Sequence, residues 1–209
     1  MKLPGNSKNR RDFLLKNNLN PNSLVSADLI HGNGIARITE KDKSEIITGT
    51  DGLITNRKNI FLSVTVADCL PIYLYESEKE IVGIIHAGWR SLMKNILVNA
   101  IEKTKKLGGK PENVLIGIGP AICQKHYEVG LEVAEKFEKY PKAIERKNNR
   151  IFLDLKEIAK LQLLKLGMPE KNIEISPECT YELPEKYFSA RRDKRKEIEA
   201  MIAMIGIQS

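Results

Sequence analysis

From residue 60 onward the chain alternates short β-branched and aliphatic runs with amphipathic stretches that stop at glycine, which confines it to an α/β architecture. Ile60–Val66 and Glu80–His86 (EIVGIIH) read as buried strands, and Ile72–Tyr75 continues or returns from the first. Leu92–Leu107 then sets Ile96, Leu97, Ala100, Ile101 and Leu107 at helical spacing and ends at Gly108-Gly109. The unit recurs as strand Val114–Ile118, turn Gly119-Pro120 and helix Leu131–Tyr140. It recurs again as strand Ile151–Asp154 and helix Lys156–Leu166, closed by Gly167 and Pro169. Asn9–Lys16 reads as a short helix, and Ile35–Thr39, Ile46–Thr48 and Ile173–Ser176 as β segments. Glu199–Ile205 reads as extended, although EIEAMIAMI suits a helix nearly as well. The expectation is one compact α/β domain with a mixed sheet flanked by helices. Sheet order is not readable from such a pattern.

A chain of 209 residues is long enough to bury one sizeable core. No apolar run reaches bilayer length, and MKLPGNSKNRRDF has charge without the apolar segment of a secretory signal. A cytoplasmic protein with no membrane partner is expected, and its three widely spaced cysteines should stay free or bind metal. The net charge of +7 and pI near 9.2 suit an anionic partner. Nucleic acid is not expected, because the densest basic run, Arg191-Arg192-Asp193-Lys194-Arg195-Lys196, has only Tyr187 and Phe188 nearby. Lys103, Lys105 and Lys106 fall on the polar face of a helix. A small phosphate-bearing substrate fits better.

Of the three histidines, two sit beside glycines at element ends. His31 opens His31-Gly32-Asn33-Gly34, and His86 closes a strand ahead of Ala87-Gly88-Trp89-Arg90. Cys69 closes FLSVTVADC just before Leu70-Pro71. One thiolate and two imidazoles suit zinc and leave a fourth position for water or substrate. The spacing is not a local metal signature, so other readings stay open. Cys69 could be a small buried apolar residue between loop-capping histidines. Two His and one Cys are also the equatorial set of a blue-copper site, and a Cys–His pair is the core of a cysteine hydrolase.

Five segments, in order and spacing over nearly the whole chain, resemble a known family. They are Ile30-His31-Gly32, Asp51-Gly52-Leu53-Ile54-Thr55, Ala67-Asp68-Cys69-Leu70-Pro71, His86-Ala87-Gly88-Trp89-Arg90, and Gly117-Ile118-Gly119-Pro120-Ala121-Ile122 running on to Tyr127-Glu128-Val129-Gly130. Cys179-Thr180 and Phe188-Ser189-Ala190-Arg191-Arg192-Asp193 follow the same pattern. The family is the purine nucleoside phosphorylases also labelled laccase-domain, polyphenol oxidase or peptidoglycan-editing-factor proteins. The resemblance implies a fold like the cytotoxic necrotizing factor catalytic domain. It implies His31, Cys69 and His86 as metal ligands, zinc as the ion with copper as the lesser alternative, and a purine nucleoside and phosphate as small-molecule partners. The implied reactions are phosphorolysis of adenosine, inosine and methylthioadenosine, and hydrolytic deamination of adenosine. A single domain over 1–209 is expected, lacking the family's usual N-terminal stretch and with it part of a pocket wall. Ser91 stands where the family has glycine, and Lys194-Arg195-Lys196-Glu197 replaces a Gly-x-x-Gly-Arg turn.

Within that reading Cys69 and His86 are catalytic as well as metal-binding, and Asp68, next to a ligand, is the nearest carboxylate for proton transfer. Arg90 begins the helix after the Ala-Gly turn and is a candidate phosphate contact. Arg191 and Arg192 form a second pair, of which one should face inward, since neighbours on an extended segment diverge. His126 reads as a loop residue, and Cys123 as a pocket neighbour with no ligand role. A monomer or homodimer is expected. The rivals are a Cys–His hydrolase of cell-wall peptides and a non-catalytic metal-binding homologue. A multicopper oxidase is disfavoured, because three histidines cannot build both a blue-copper centre and a trinuclear cluster.

Overall fold

The computed structural model describes residues 4–194 and 199–209, with side chains from residue 8 onward. The Arg195–Glu197 part of the basic run lies outside them. In chain order the elements are α1 (Pro4–Lys16), β1 (Leu24–Asp28), β2 (Ile35–Arg37), β3 (Ile46–Thr48), β4 (Gly52–Thr55), β5 (Phe61–Val66), β6 (Leu70–Glu76) and β7 (Ile81–Ala87). There follow α2 (Trp89–Met93), α3 (Ile96–Lys106), β8 (Val114–Ile118), β9 (Glu128–Val129), α4 (Leu131–Ala134), β10 (Ile144–Lys147) and β11 (Arg150–Leu153). The last are α5 (Leu155–Lys165), β12 (Ile173–Ile175), α6 (Ala190–Asp193) and β13 (Met201–Gly206). No described helix is long and apolar enough to cross a membrane.

The strands form three sheets among the described residues: a six-stranded mixed sheet in the order β12-β8-β6-β7-β4-β2, a four-stranded sheet β13-β5-β1-β3, and a small antiparallel sheet β10-β11-β9. The large sheet is covered on both faces. One face carries Leu70, Ile72, Leu74, Ile81, Ile85 and Ala87 against α2, α3 and α5 through Leu92, Ile96, Leu97, Ile101, Ile158 and Leu163. The other face presents Leu53, Val82 and Ile84 to Val25, Leu62 and Val64 of the four-stranded sheet. β7 is buried along its whole length, which is why IVGIIHA reads as a continuous apolar run rather than an alternation. Burial of its four Ile and Val side chains contributes roughly 1.5–3 kcal/mol each. A one-residue slip would exchange the two faces, so the register is tightly held.

Three local expectations are corrected. The helix expected over Leu92–Leu107 is two helices, because Asn95 sits in the left-handed region at φ 60°, ψ 42°. Asparagine tolerates that conformation, and it frees α3 to lay Ile96, Leu97, Ala100 and Ile101 on the sheet. The helix expected over Leu131–Tyr140 is one turn, α4, followed by a 3₁₀ turn at Glu135–Phe137. The Arg191-Arg192 segment is helical rather than extended, since the Ser189 side chain caps α6 by accepting from the Arg192 N–H. The C-terminal segment is a strand: β13 pairs antiparallel with β5 over six residues.

Candidate metal centre

Strand register assembles the site. β6 and β7 pair with Leu70 opposite Ala87 and Pro71 opposite His86, which sets Cys69, the residue before β6, across from Gly88. β4 and β7 pair with Gly52 opposite Ile85, which sets Asp51 beside His86. The His86 N–H donates to the Asp51 carbonyl at 2.7 Å. His31 arrives from the loop between β1 and β2, itself in the left-handed region at φ 55°. The nitrogen and sulfur donor atoms of His31, Cys69 and His86 lie within 4.8 Å of one another. The two imidazoles meet edge to face, with centroids 4.8 Å apart. His86 is buried, Cys69 half-buried and His31 exposed, so the set opens to solvent on the His31 side.

The donor set fits a metal ion by its own geometry. A Cβ added to Gly88 would stand 2.9 Å from Cys69 Sγ and 3.4 Å from His31 Cδ2. The backbone therefore passes as close to the donors as a bare Cα allows. Asp51, 0% exposed, supports the set from behind. Its carboxylate accepts from the N–H groups of Ile30 (3.3 Å), His31 (2.9 Å) and Gly32 (2.6 Å). Three successive amides thus cradle the anion, and His31 needs its positive φ to complete the cradle. The same carboxylate stands 3.0 Å from His86 Nδ1. A proton on that nitrogen, donated to Asp51, leaves Nε2 as the free donor, the arrangement that orients metal-bound histidines.

The electrostatics agree with this geometry. Burial pushes the Asp51 carboxyl up, but hydrogen bonds from His86 and from the Gly32 and His31 amides outweigh it and hold the group below its ordinary value. Burial likewise raises the Cys69 thiol, yet hydrogen bonds with His31 and His86 bring it down to about 7. Burial lowers His86, but Asp51 and Cys69 lift it to about 9. The sulfur is thus close to a thiolate at neutral pH, the state a metal ligand must adopt.

Around this core the other candidate residues divide. Asp68 turns the chain from β5 into β6 at φ 85°. One carboxylate oxygen accepts from Thr180 Oγ1 at 2.6 Å and the other from the Arg191 N–H at 2.7 Å. Both oxygens therefore tie the Cys69 turn to the segment carrying α6. Arg192 is fully committed: its guanidinium donates to the carbonyls of Thr180, Tyr181 and Tyr187 and to both carboxylate oxygens of Asp193. Five donors meet five acceptors, so the expectation of a substrate contact gives way to a loop anchor. Arg191 bonds the Glu128 carbonyl through Nη1 at 2.7 Å, and its guanidinium lies 5.1 Å from the Tyr127 ring. Arg90 is exposed and stacks on Trp89 at 4.4 Å. Tyr127 joins these groups to the core. Its phenol is pushed up, first by burial and then by the Cys69 charge, while Arg191 and Arg90 oppose the rise.

Asp51 and Tyr127 were not among the residues given roles from the sequence. Both lie inside the quoted motifs, which was the available signal. Neither motif says that Asp51 reaches His86, 35 positions on, or that Tyr127 stands near Cys69.

The comparisons with known proteins follow the same residues. Residues 6–208 match the family model described as multi-copper polyphenol oxidoreductase laccase. Purine nucleoside phosphorylase YlmD of Bacillus subtilis (strain 168) is 32% identical over 214 residues, covering 96% of this chain and 77% of its own. Adenosine deaminase RL5, from an unknown prokaryotic organism, is 32% identical over 182 residues, covering 81% of this chain and 70% of its own. The crystal structure of YlmD from Geobacillus stearothermophilus superposes with a TM-score of 0.92 at 29% identity, covering 97% of this chain and 80% of that one. The chain belongs to the laccase-model family whose relatives include proteins named purine nucleoside phosphorylase and adenosine deaminase.

Proposed function

We propose that this chain is a zinc-dependent purine nucleoside enzyme. Its reactions are phosphorolysis of adenosine, inosine and methylthioadenosine, and hydrolytic deamination of adenosine. The observation that carries the reading is the convergence of His31, Cys69 and His86 on one point with Asp51 behind them, in a chain related to proteins of those names. Copper oxidase chemistry is a poor fit, because all the histidines of the chain number three and only two of them are in the set.

Zinc held by His31, Cys69 and His86 would supply Lewis acidity at an open fourth position. The protein's own groups do the rest. Asp51 fixes the His86 tautomer and holds the His31 loop by its amides. Tyr127, its phenol kept protonated by burial, can donate a hydrogen bond toward the base or the ribose. Arg90 and Arg191, on either side of Tyr127, supply the positive charge that phosphate requires. Asp68, with both oxygens engaged, holds the Cys69 turn against α6 and acts as a positioning residue.

One observation favours a second reading. Asp51, His86 and Cys69 form a carboxylate–imidazole–thiol relay, the arrangement of a cysteine hydrolase. His31 counts against it, since a second imidazole on the sulfur has no part in such a relay. The deciding experiment measures metal content and base release from adenosine and methylthioadenosine, with and without phosphate and with a chelator. The zinc enzyme requires phosphate for base release and stops when the metal is removed. Activity that survives the chelator but is lost on thiol alkylation would overturn it in favour of the hydrolase.

A further inference from the structure

A second set of metal-binding side chains stands apart from the site above and is used by none of the chemistry proposed for it. Cys123, His126 and Glu182 hold their donor atoms within 4.8 Å of one another. They come from two short turns of the same design. Cys123-x-x-His126 closes with the His126 N–H on the Cys123 carbonyl at 3.1 Å, and Cys179-x-x-Glu182 closes with the Glu182 N–H on the Cys179 carbonyl at 3.2 Å. Two facing turns, each offering a donor pair three residues apart, are how small structural zinc sites are built.

The turns are already docked. Ala121 and Cys179 form an isolated parallel bridge, and the Thr180 N–H donates to the Ala121 carbonyl at 3.1 Å. The Cys123 N–H donates to Cys179 Sγ at 3.2 Å, His126 Nε2 is 2.9 Å from Glu182 Oε1, and the His126 ring stacks on Tyr181 at 4.2 Å. Ligands in a tetrahedral zinc site are about 3.5 Å apart, from Zn–S and Zn–N bonds of about 2.3 and 2.0 Å. The observed separations bracket that value, so side-chain rotation closes the set. Lys125 pairs with the same Glu182 oxygen, but its side chain is 66% exposed and free to leave when a cation arrives.

We propose that Cys123, His126 and Glu182 form a second divalent-cation site, selective for zinc through its thiolate and imidazole donors, with the Cys179 sulfur holding Cys123 in place. Binding releases the Cys123 thiol proton to solvent and displaces Lys125. The ion is structural: it cross-links the turn leading to Tyr127 with the loop whose Thr180 and Tyr181 carbonyls anchor Arg192. The site does not depend on the enzymatic reading above.

The test uses the full chain carrying Cys69→Ser, which disables the first set, under a thiol reductant. Equilibrium dialysis against zinc chloride followed by elemental analysis should find one zinc per chain, lost on adding His126→Gln or Glu182→Gln. Both are partly exposed positions, where loss of the fold is not expected, and circular dichroism checks it. Cobalt in the Cys69→Ser chain should show a thiolate charge-transfer band that vanishes with Cys123→Ser. Absence of bound zinc in the Cys69→Ser chain, or zinc that survives His126→Gln, would overturn the proposal. Either result would leave the first site untouched.

Discussion

Replacing Asp51 with asparagine removes one charge and changes one atom, and the structure says what must follow. One carboxylate oxygen serves His86 Nδ1 (3.0 Å) and the His31 amide (2.9 Å); the other serves the amides of Gly32 (2.6 Å) and Ile30 (3.3 Å). An asparagine has one acceptor oxygen to place. If its NH₂ faces Gly32 and Ile30, two N–H donors lose their acceptor and meet another donor. The Gly32 amide is buried, and stranding it costs about 1–3 kcal/mol. If the NH₂ faces His86, the imidazole must carry its proton on the nitrogen meant for the metal, and the His31 amide is stranded as well. In both orientations charge-assisted bonds become neutral ones, about half as strong. The expected result is a loss of about 2–4 kcal/mol in urea denaturation of the metal-free protein. Zinc affinity should fall about 10- to 100-fold in chelator competition, the usual scale for a lost partner of a metal-bound histidine. Asp51→Asn binding zinc as tightly as the parent, with an unchanged urea midpoint, would refute the role given to Asp51.

Gly88→Ala should weaken zinc binding by about tenfold or more while leaving the urea midpoint within about 1 kcal/mol, because the new Cβ meets Cys69 Sγ at 2.9 Å; equal affinities would show that the sulfur can move aside freely. In metal-free protein, alkylation of Cys69 followed peptide by peptide should rise through a midpoint near pH 7 as the thiolate forms. Cys123, pushed up to about 12 by burial and by its contact with Cys179, should stay slow over the same range; a Cys69 midpoint above pH 8.5 contradicts the two-imidazole contact. Arg192→Ala should destabilise the fold by several kcal/mol, since five hydrogen bonds go at once. Arg90→Ala should leave stability unchanged and raise the KM for phosphate; the reverse pattern in the two variants would exchange their roles.

What the sequence alone determined about this protein is the part written in short-range chemistry. Runs such as FLSVTV and EIVGIIH can only be buried strands, and the glycine-closed amphipathic segments after them can only cover a sheet, so an α/β layering was legible. The ligand candidates were legible too, through motifs that a family resemblance made specific; their spacing alone left copper, hydrolase and inert readings open. The tertiary structure decided whatever depends on which distant segments pair. Sheet order came from it, because hydrogen-bonding capacity is the same along every strand. The break at Asn95 came from it, because an asparagine shows no local preference strong enough to predict a left-handed turn against the pull of the flanking helix formers. The fate of Arg192 came from it as well, since a guanidinium is equally suited to phosphate and to five protein oxygens, and only the fold brings those oxygens within reach. Asp51 shows the division most clearly: its motif was visible, but its partnership with His86 exists only because β4 and β7 lie side by side in one register.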